Sequence, residues 1–235
     1  MSWQAPKEMD EYLKPTELCD CDNIELQRKA KELTKGAETP KEAALRIFYF
    51  VRDEIPWTVG HSDVKASSIM KEKKGQCCNK TNLQVALLRA VGIPARHHQV
   101  KVKKEWHKGL TPVIPSSGYN RLPEILPFCS YCECYLAEKW VACESVLDKA
   151  LYEAALKEGS VTPEQVPTVD WDGEKDLVVR APWIAEDVGA FPSFDDGLRK
   201  ADKEVERVTP MVFRPLIGFY YGRVNRRIDA LRKGK

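Results

Sequence analysis

Histidine is scarce in this chain, long apolar runs are missing, and neither sign of charge dominates. Each shortage excludes something. No apolar stretch reaches the roughly 20 residues that a membrane-crossing helix needs, so no membrane span is expected. The opening MSWQAPKEMDEYL lacks the apolar segment of a signal peptide, which points to a cytoplasmic protein. With 37 Lys and Arg against 35 Asp and Glu, the net charge of +2 gives no general attraction to nucleic acid, and no such partner is expected. What the chain does have is 235 residues, 43% of them hydrophobic, enough for one sizeable core, and eight cysteines. In a cytoplasmic protein these are not expected to be structural disulfides. They are left as reduced thiols, metal ligands or a reactive pair.

The run Gly75 to Arg96, GQCCNKTNLQVALLRAVGIPAR, organises the rest. Leu83, Leu87 and Ala90 fall at helical spacing, and Val85, Ala86 and Leu88 fill the flanks, so this helix is apolar on most sides and predicted to be buried. Asn79 and Thr81 mark its start, Gly92 and Pro94 its end. Cys77 then sits at or just before a helix N-terminus, where unpaired N–H groups and the macrodipole favour a thiolate. A buried cysteine can also be a small hydrophobe and nothing more.

Upstream, a short helix or loop and a helix over Ile24–Leu33 are expected, with Cys19 and Cys21 in an acidic turn between them. Thr39-Pro40-Lys41-Glu42 is a capping box with proline at the first helical position, so a helix starts there and must stop before Pro56. Downstream, Ala95–Val102 alternates as a strand, which puts His97 and His98 on opposite faces. Glu105–Pro127 reads as a long loop. Cys129–Leu136 and Trp140–Ala142 read as a hairpin, and Ser145–Lys157 as a helix. A turn-rich stretch then leads to an amphipathic basic helix over Met211–Arg232, with Phe213, Ile217, Tyr220, Val224, Ile228 and Leu231 on one side. We expect it to dock on the domain or on a second subunit rather than on a membrane surface. The expected division is 1–160 as one domain and 161–235 as a C-terminal extension packed on it.

GxC, a buried helix ending in ALLRA, and then GIPAR resemble the nucleophile segment of the transglutaminase-like superfamily, as AALRIFYFVRDEIPW resembles the helix before it. The resemblance spans about residues 24–157. It implies an α+β, papain-like fold in which a central helix carrying a catalytic cysteine packs on an antiparallel sheet. It selects Cys77, nine residues before Ala86, as nucleophile, and makes Trp57 and Tyr131 candidate walls of a cleft. The superfamily completes its site with a histidine and an aspartate in a pattern like HxWxE, then W, V, two residues and D. Here CSYCECYLAEKWVACE covers that region: Glu133, Trp140 and Val141 match, but Cys129 stands at the histidine, Tyr131 at the tryptophan and Glu144 at the aspartate. Residues 129, 131 and 133 of a strand share a face, so Cys129 should look into the same cleft as Cys77, while Cys132 and Cys134 point away.

A thiol is a poor substitute for a base that must take a proton and return it. Four expectations follow. The first is acyl transfer, hydrolysis or cyclisation on a small molecule or peptide, needing no cofactor, with Cys77 as nucleophile, Glu144 as proton carrier and His97 or His98 brought in from the next strand. The second is metal- or metalloid-thiolate chemistry, with an ion held by Cys77, Cys129 and Glu144; organomercurial lyases use a similar trio. The third is a redox-active Cys77–Cys129 pair, and the fourth a binding module without catalysis. The C-terminal helix also leaves room for a homo-oligomer.

Overall fold

The computed structural model describes residues 3, 6–106, 120, 123–208, 211 and 216–234. Most of the expected long loop and Phe213 lie outside the described residues. A 3-10 turn, Lys7–Leu13, precedes α1 (Ile24–Leu33), α2 (Pro40–Asp53), α3 (Ala66–Glu72) and α4 (Cys77–Ala90). β1 (Ala95–Lys103), β2 (Ile125–Leu136) and β3 (Lys139–Ala142) follow, then α5 (Lys149–Lys157), β4 (Ile184–Phe191), α6 (Asp195–Val208) and α7 (Ile217–Arg232). The strands form one antiparallel sheet in the order β3-β2-β1-β4, and α4 packs on it. This is the α+β arrangement of a central helix on an antiparallel sheet.

Local chemistry sets the boundaries. The Thr39 side chain accepts from the Glu42 N–H at 3.1 Å, and Glu42 reaches back to the Glu38 N–H at 2.8 Å, so α2 starts where its capping box directs. At the end of α4, Gly92 takes φ +84°, its N–H bonds to Arg89 O and the Ile93 N–H to Leu88 O, a left-handed stop that turns the chain into β1. Ala137 and Glu138 both have positive φ, which closes the β2–β3 hairpin in two residues. α5 starts four residues later than expected, because the Asp148 side chain caps the Leu151 N–H at 3.0 Å and Ser145 is drawn off to bond Gln84 at 2.5 Å.

Helix α4 is buried on nearly every side. Leu83, Val85, Ala86 and Leu87 show no exposure, each large aliphatic among them contributing roughly 1.5–3 kcal/mol by burial. Its polar residues are buried too and act as fixings: Thr81 donates to Ser130 O at 2.9 Å, Asn82 to Leu18 O at 2.8 Å, and Gln84 to Cys143 O at 3.0 Å. Two of these bonds reach the Ser130–Cys143 hairpin, so they hold β2 against the first turns of α4. The last helix lies on the same body. Val224, Ile228 and Leu231 enter the core, Asn225 bonds both the N–H and the carbonyl of Val59, and Arg232 binds Asp148 through two nitrogens at 2.9 and 2.7 Å. Its other end leaves Leu216, Phe219 and Tyr220 exposed.

Candidate active site

Cys77 is the first residue of α4, and the side chain of the N-cap residue, Gln76, makes no capping bond. The approach is fixed by Gly75, whose N–H bonds to Pro56 O and whose carbonyl accepts from Thr58 N–H, so the chain at Trp57 runs beside it. A Cβ on Gly75 would come within 3.2 Å of Asn79 Cβ and 3.3 Å of Ile69 Cγ2, which is why a glycine precedes the cysteines. The Gln76 side chain bonds Ser62, and Asn79 donates to His61 O at 2.6 Å. Cys77 is half-buried, whereas each of the other seven cysteines is buried, and all eight are free thiols.

Three thiols meet here. Cys77 Sγ lies 3.9 Å from Cys78 Sγ, and it shares a hydrogen bond with Cys129. Cys78 Sγ points to Phe128 O at 3.3 Å, on the strand that carries Cys129. The hydrogen bond to Cys77, reinforced by burial, pushes both Cys129 and Cys78 well above the ordinary thiol range, so these two stay protonated beside the half-buried one. Along β2 the alternation holds. Cys129 and Tyr131 pack with Val100, Val102 and Ala142 on the face that Cys77 touches, while Cys132 and Cys134 join the core on the other face.

Glu144 is fully buried and faces a residue that sequence reasoning missed. The Leu177 segment pairs with Ala142 and Glu144 through backbone bonds of 2.9 and 3.0 Å, which delivers Arg180 to the carboxylate. Glu144 accepts from the Arg180 backbone N–H at 3.0 Å and from its Nε, and Arg180 Nη2 donates to Ser130 O at 2.6 Å. Arg180 has no exposure, lies beneath Trp106, and its Nη1 has no hydrogen-bond partner among the described residues. Burial alone would lower its pKa, but Glu144 and then the Cys129, Cys77 and Cys78 thiols outweigh that and hold the guanidinium firmly charged. The one available signal in the sequence was a lone charge inside an otherwise apolar stretch, LVVRAPW.

The remaining candidates fall at different distances from this centre. Tyr131 is buried on the Cys129 face and stacks on His98, ring centroids 4.7 Å apart. His98 is held between Glu133 at 2.8 Å and Asp187 at 2.7 Å, and the Glu133 bond raises its pKa. His97 faces the other way, fully buried against Phe194, and burial, helped by Arg89, pulls its pKa down to about 3, so it stays neutral. Trp57 is a core residue whose carbonyl accepts from Arg232. Glu144 is the partner of a guanidinium rather than a carboxylate open to the thiols. For the metal set of Cys77, Cys129 and Glu144, both Glu144 oxygens are engaged by Arg180, and among the described residues no group of three or more His, Cys, Asp or Glu is placed to hold a metal ion. Among the described residues no helix is long and apolar enough to cross a membrane.

No curated protein matches the chain. Of the solved structures similar to it, a candidate cysteine protease from Cytophaga hutchinsonii is 22% identical with a TM-score of 0.47 over 61% of this chain and 43% of its own. A candidate protease from Parabacteroides distasonis is 13% identical with a TM-score of 0.38 over 58% of this chain and 25% of its own. The chain thus spans less than half the length of either. The family model of the transglutaminase-like superfamily matches residues 27–145, the segment from α1 through the sheet hairpin to Glu144 that holds Cys77 and Cys129. This chain belongs to the transglutaminase-like superfamily.

Proposed function

We propose that the protein is a cysteine-dependent acyl-transfer enzyme in which Cys77 attacks the carbonyl carbon of a small-molecule or peptide substrate. The observation that carries this reading is the position of Cys77: the first residue of a helix whose N-cap side chain makes no capping bond, the one half-buried cysteine, in contact with a protonated thiol and beside a buried guanidinium. The N–H groups of the first turn, which the helix itself does not bond, favour both the thiolate and the oxyanion that forms on the substrate. Cys129, kept protonated, donates to the Cys77 sulfur, and Tyr131 lines the same face. Glu144 fixes the Arg180 side chain.

Native reduced protein treated with a limiting electrophile and mapped by mass spectrometry should be labelled at Cys77 before any other cysteine. Cys77→Ala should remove hydrolysis or transfer of every acyl donor the wild type accepts. Labelling spread evenly over the eight cysteines, or an intact activity in the alanine variant, would refute the reading. A second reading, a reversible Cys77–Cys129 disulfide, is favoured by their shared hydrogen bond. It predicts that mild peroxide links these two positions, with recovery on reduction, and that Cys129→Ser leaves Cys77 to overoxidise.

A further inference from the structure

We propose that the acyl donor for this site is a thioester, with Arg180 as the residue that stabilises the sulfur anions of its reaction. The proposal rests on the reading of Cys77 as nucleophile and adds the class of bond it breaks.

The superfamily's histidine position holds Cys129, and a permanent charge, Arg180, is bonded to the carbonyl of Ser130, the residue after Cys129. An imidazole takes a proton and gives it back; a guanidinium stays charged at any working pH and does neither. It can stabilise an anion that arrives and an anion that leaves. Amide cleavage expels an amine, which must be handed a proton as its bond breaks. Cys129 and Cys78, pushed far above the ordinary thiol range, are weak acids for that task, and His97 and His98 are engaged elsewhere. A thioester makes no such demand. The Cys77 thiolate forms a C–S bond to the carbonyl carbon, the electron pair passes through a tetrahedral oxyanion, and the original C–S bond breaks with the pair leaving on sulfur. One thiolate has replaced another and no proton has moved. The expelled thiolate, whose conjugate acid has a pKa of about 8.5 in simple cases, leaves without a proton donor. Water or a second thiol then clears the acyl group from Cys77; with water the products are a carboxylic acid, which ionises, and the free Cys77. The Arg180 nitrogen suited to this work is Nη1, buried and without a hydrogen-bond partner among the described residues, while Nε and Nη2 are tied to Glu144 and Ser130.

The test uses the reduced full chain with two donors that share one acyl group, a simple alkyl thioester and the matching primary amide. Adducts are read by intact mass and site mapping, and each rate is divided by the rate of a free thiol with the same donor. Acylation of Cys77 by the thioester should exceed the free-thiol rate by at least about 100-fold, with no comparable gain for the amide. Arg180→Lys should retain part of the gain. Arg180→Met combined with Glu144→Leu, which removes both charges and so avoids stranding one, should lose it. His61→Ala should leave it unchanged. A gain as large for the amide, full acylation in the double variant, or a loss in His61→Ala would overturn the thioester proposal while leaving Cys77 as nucleophile. Adducts at another residue, or none from either donor, would overturn both.

Discussion

Replacing Glu144 by glutamine tests whether the site is built around a buried ion pair. Both side chains have 0% exposure. In the wild type the carboxylate neutralises the guanidinium and accepts two of its N–H groups, one from the backbone and one from Nε. A glutamine can still accept a hydrogen bond there, so the loss is mainly that of charge. Breaking a buried pair from one side costs about 3–5 kcal/mol, because the surviving charge keeps its desolvation penalty and loses its compensation. The retained hydrogen bond places Glu144→Gln near the lower end, about 3 kcal/mol, a large share of the 5–15 kcal/mol typical of a whole domain. With a urea slope of about 3 kcal/mol per molar, the unfolding midpoint should fall by about 1 M. Arg180→Met strands a carboxylate instead and should cost at least as much. The double variant, Glu144→Leu with Arg180→Met, removes both charges at once and should return to within about 1 kcal/mol of the wild type, so the double-mutant cycle closed by the single variants Glu144→Leu and Arg180→Met should show a coupling of about 3 kcal/mol or more. A midpoint shift below about 0.3 M for Glu144→Gln, or a double variant whose loss equals the sum of the singles, would refute the reasoning.

Lys80 is fully buried in α4 and donates to Arg52 O, and burial lowers its pKa to about 7. Between that value and the unfolded value near 10.4, the unfolded chain holds the extra proton, so this residue's penalty is full below pH 7 and fades as pH rises. The stability advantage of Lys80→Met over the wild type should therefore shrink by about 3 kcal/mol from pH 7 to pH 9.5, and an advantage constant over that range would contradict the burial argument. Arg232 joins α7 to Asp148 and to the Trp57 carbonyl. Arg232→Ala should cost about 3 kcal/mol and make α7 the first site of limited proteolysis; cleavage elsewhere first would show that the helix is held by its apolar residues alone.

How much of this was legible depended on whether the physics was local. The start of α4 at Cys77, the apolar wrap of that helix and the Thr39 cap are written in spacing and capping residues that act within a few positions, and the hairpin at Ala137 and Glu138 was legible from the apolar strands on either side of it. The alternation along β2 followed from the period of a strand, which placed Cys129 and Tyr131 on one face and Cys132 and Cys134 on the other. β4 was not legible. Its sequence, IAEDVGAF, has no buried residue and shows no clean two-residue period, and it is a strand because β1 offers it an edge to pair with. Nor was Arg180 legible as a site residue. Its role is created by the pairing of Leu177 with Ala142 and Glu144, a contact more than thirty positions apart that no short-range rule encodes.

That distant contact also makes a charged pair of what would otherwise be a bare arginine. A lone guanidinium next to three thiols would favour the thiolate strongly, since an opposite charge within about 4–6 Å shifts a pKa by roughly 1–3 units. A thiolate stabilised that far becomes a sluggish nucleophile, because reactivity falls with basicity and is best when the pKa lies near the ambient pH. Glu144 counters part of the charge of Arg180 and fixes its orientation through two bonds, while Cys129 and Cys78, held protonated, steady the Cys77 sulfur by hydrogen bonding without adding charge. Substituting Cys129 by histidine would then be an informative gain-of-function experiment. It introduces the missing proton carrier at the matching strand position, so the variant should extend acylation of Cys77 from thioesters to amides, measured with the same matched donors. If the histidine variant folds and its amide rate stays at the wild-type level, the absence of a proton carrier is not what limits the site.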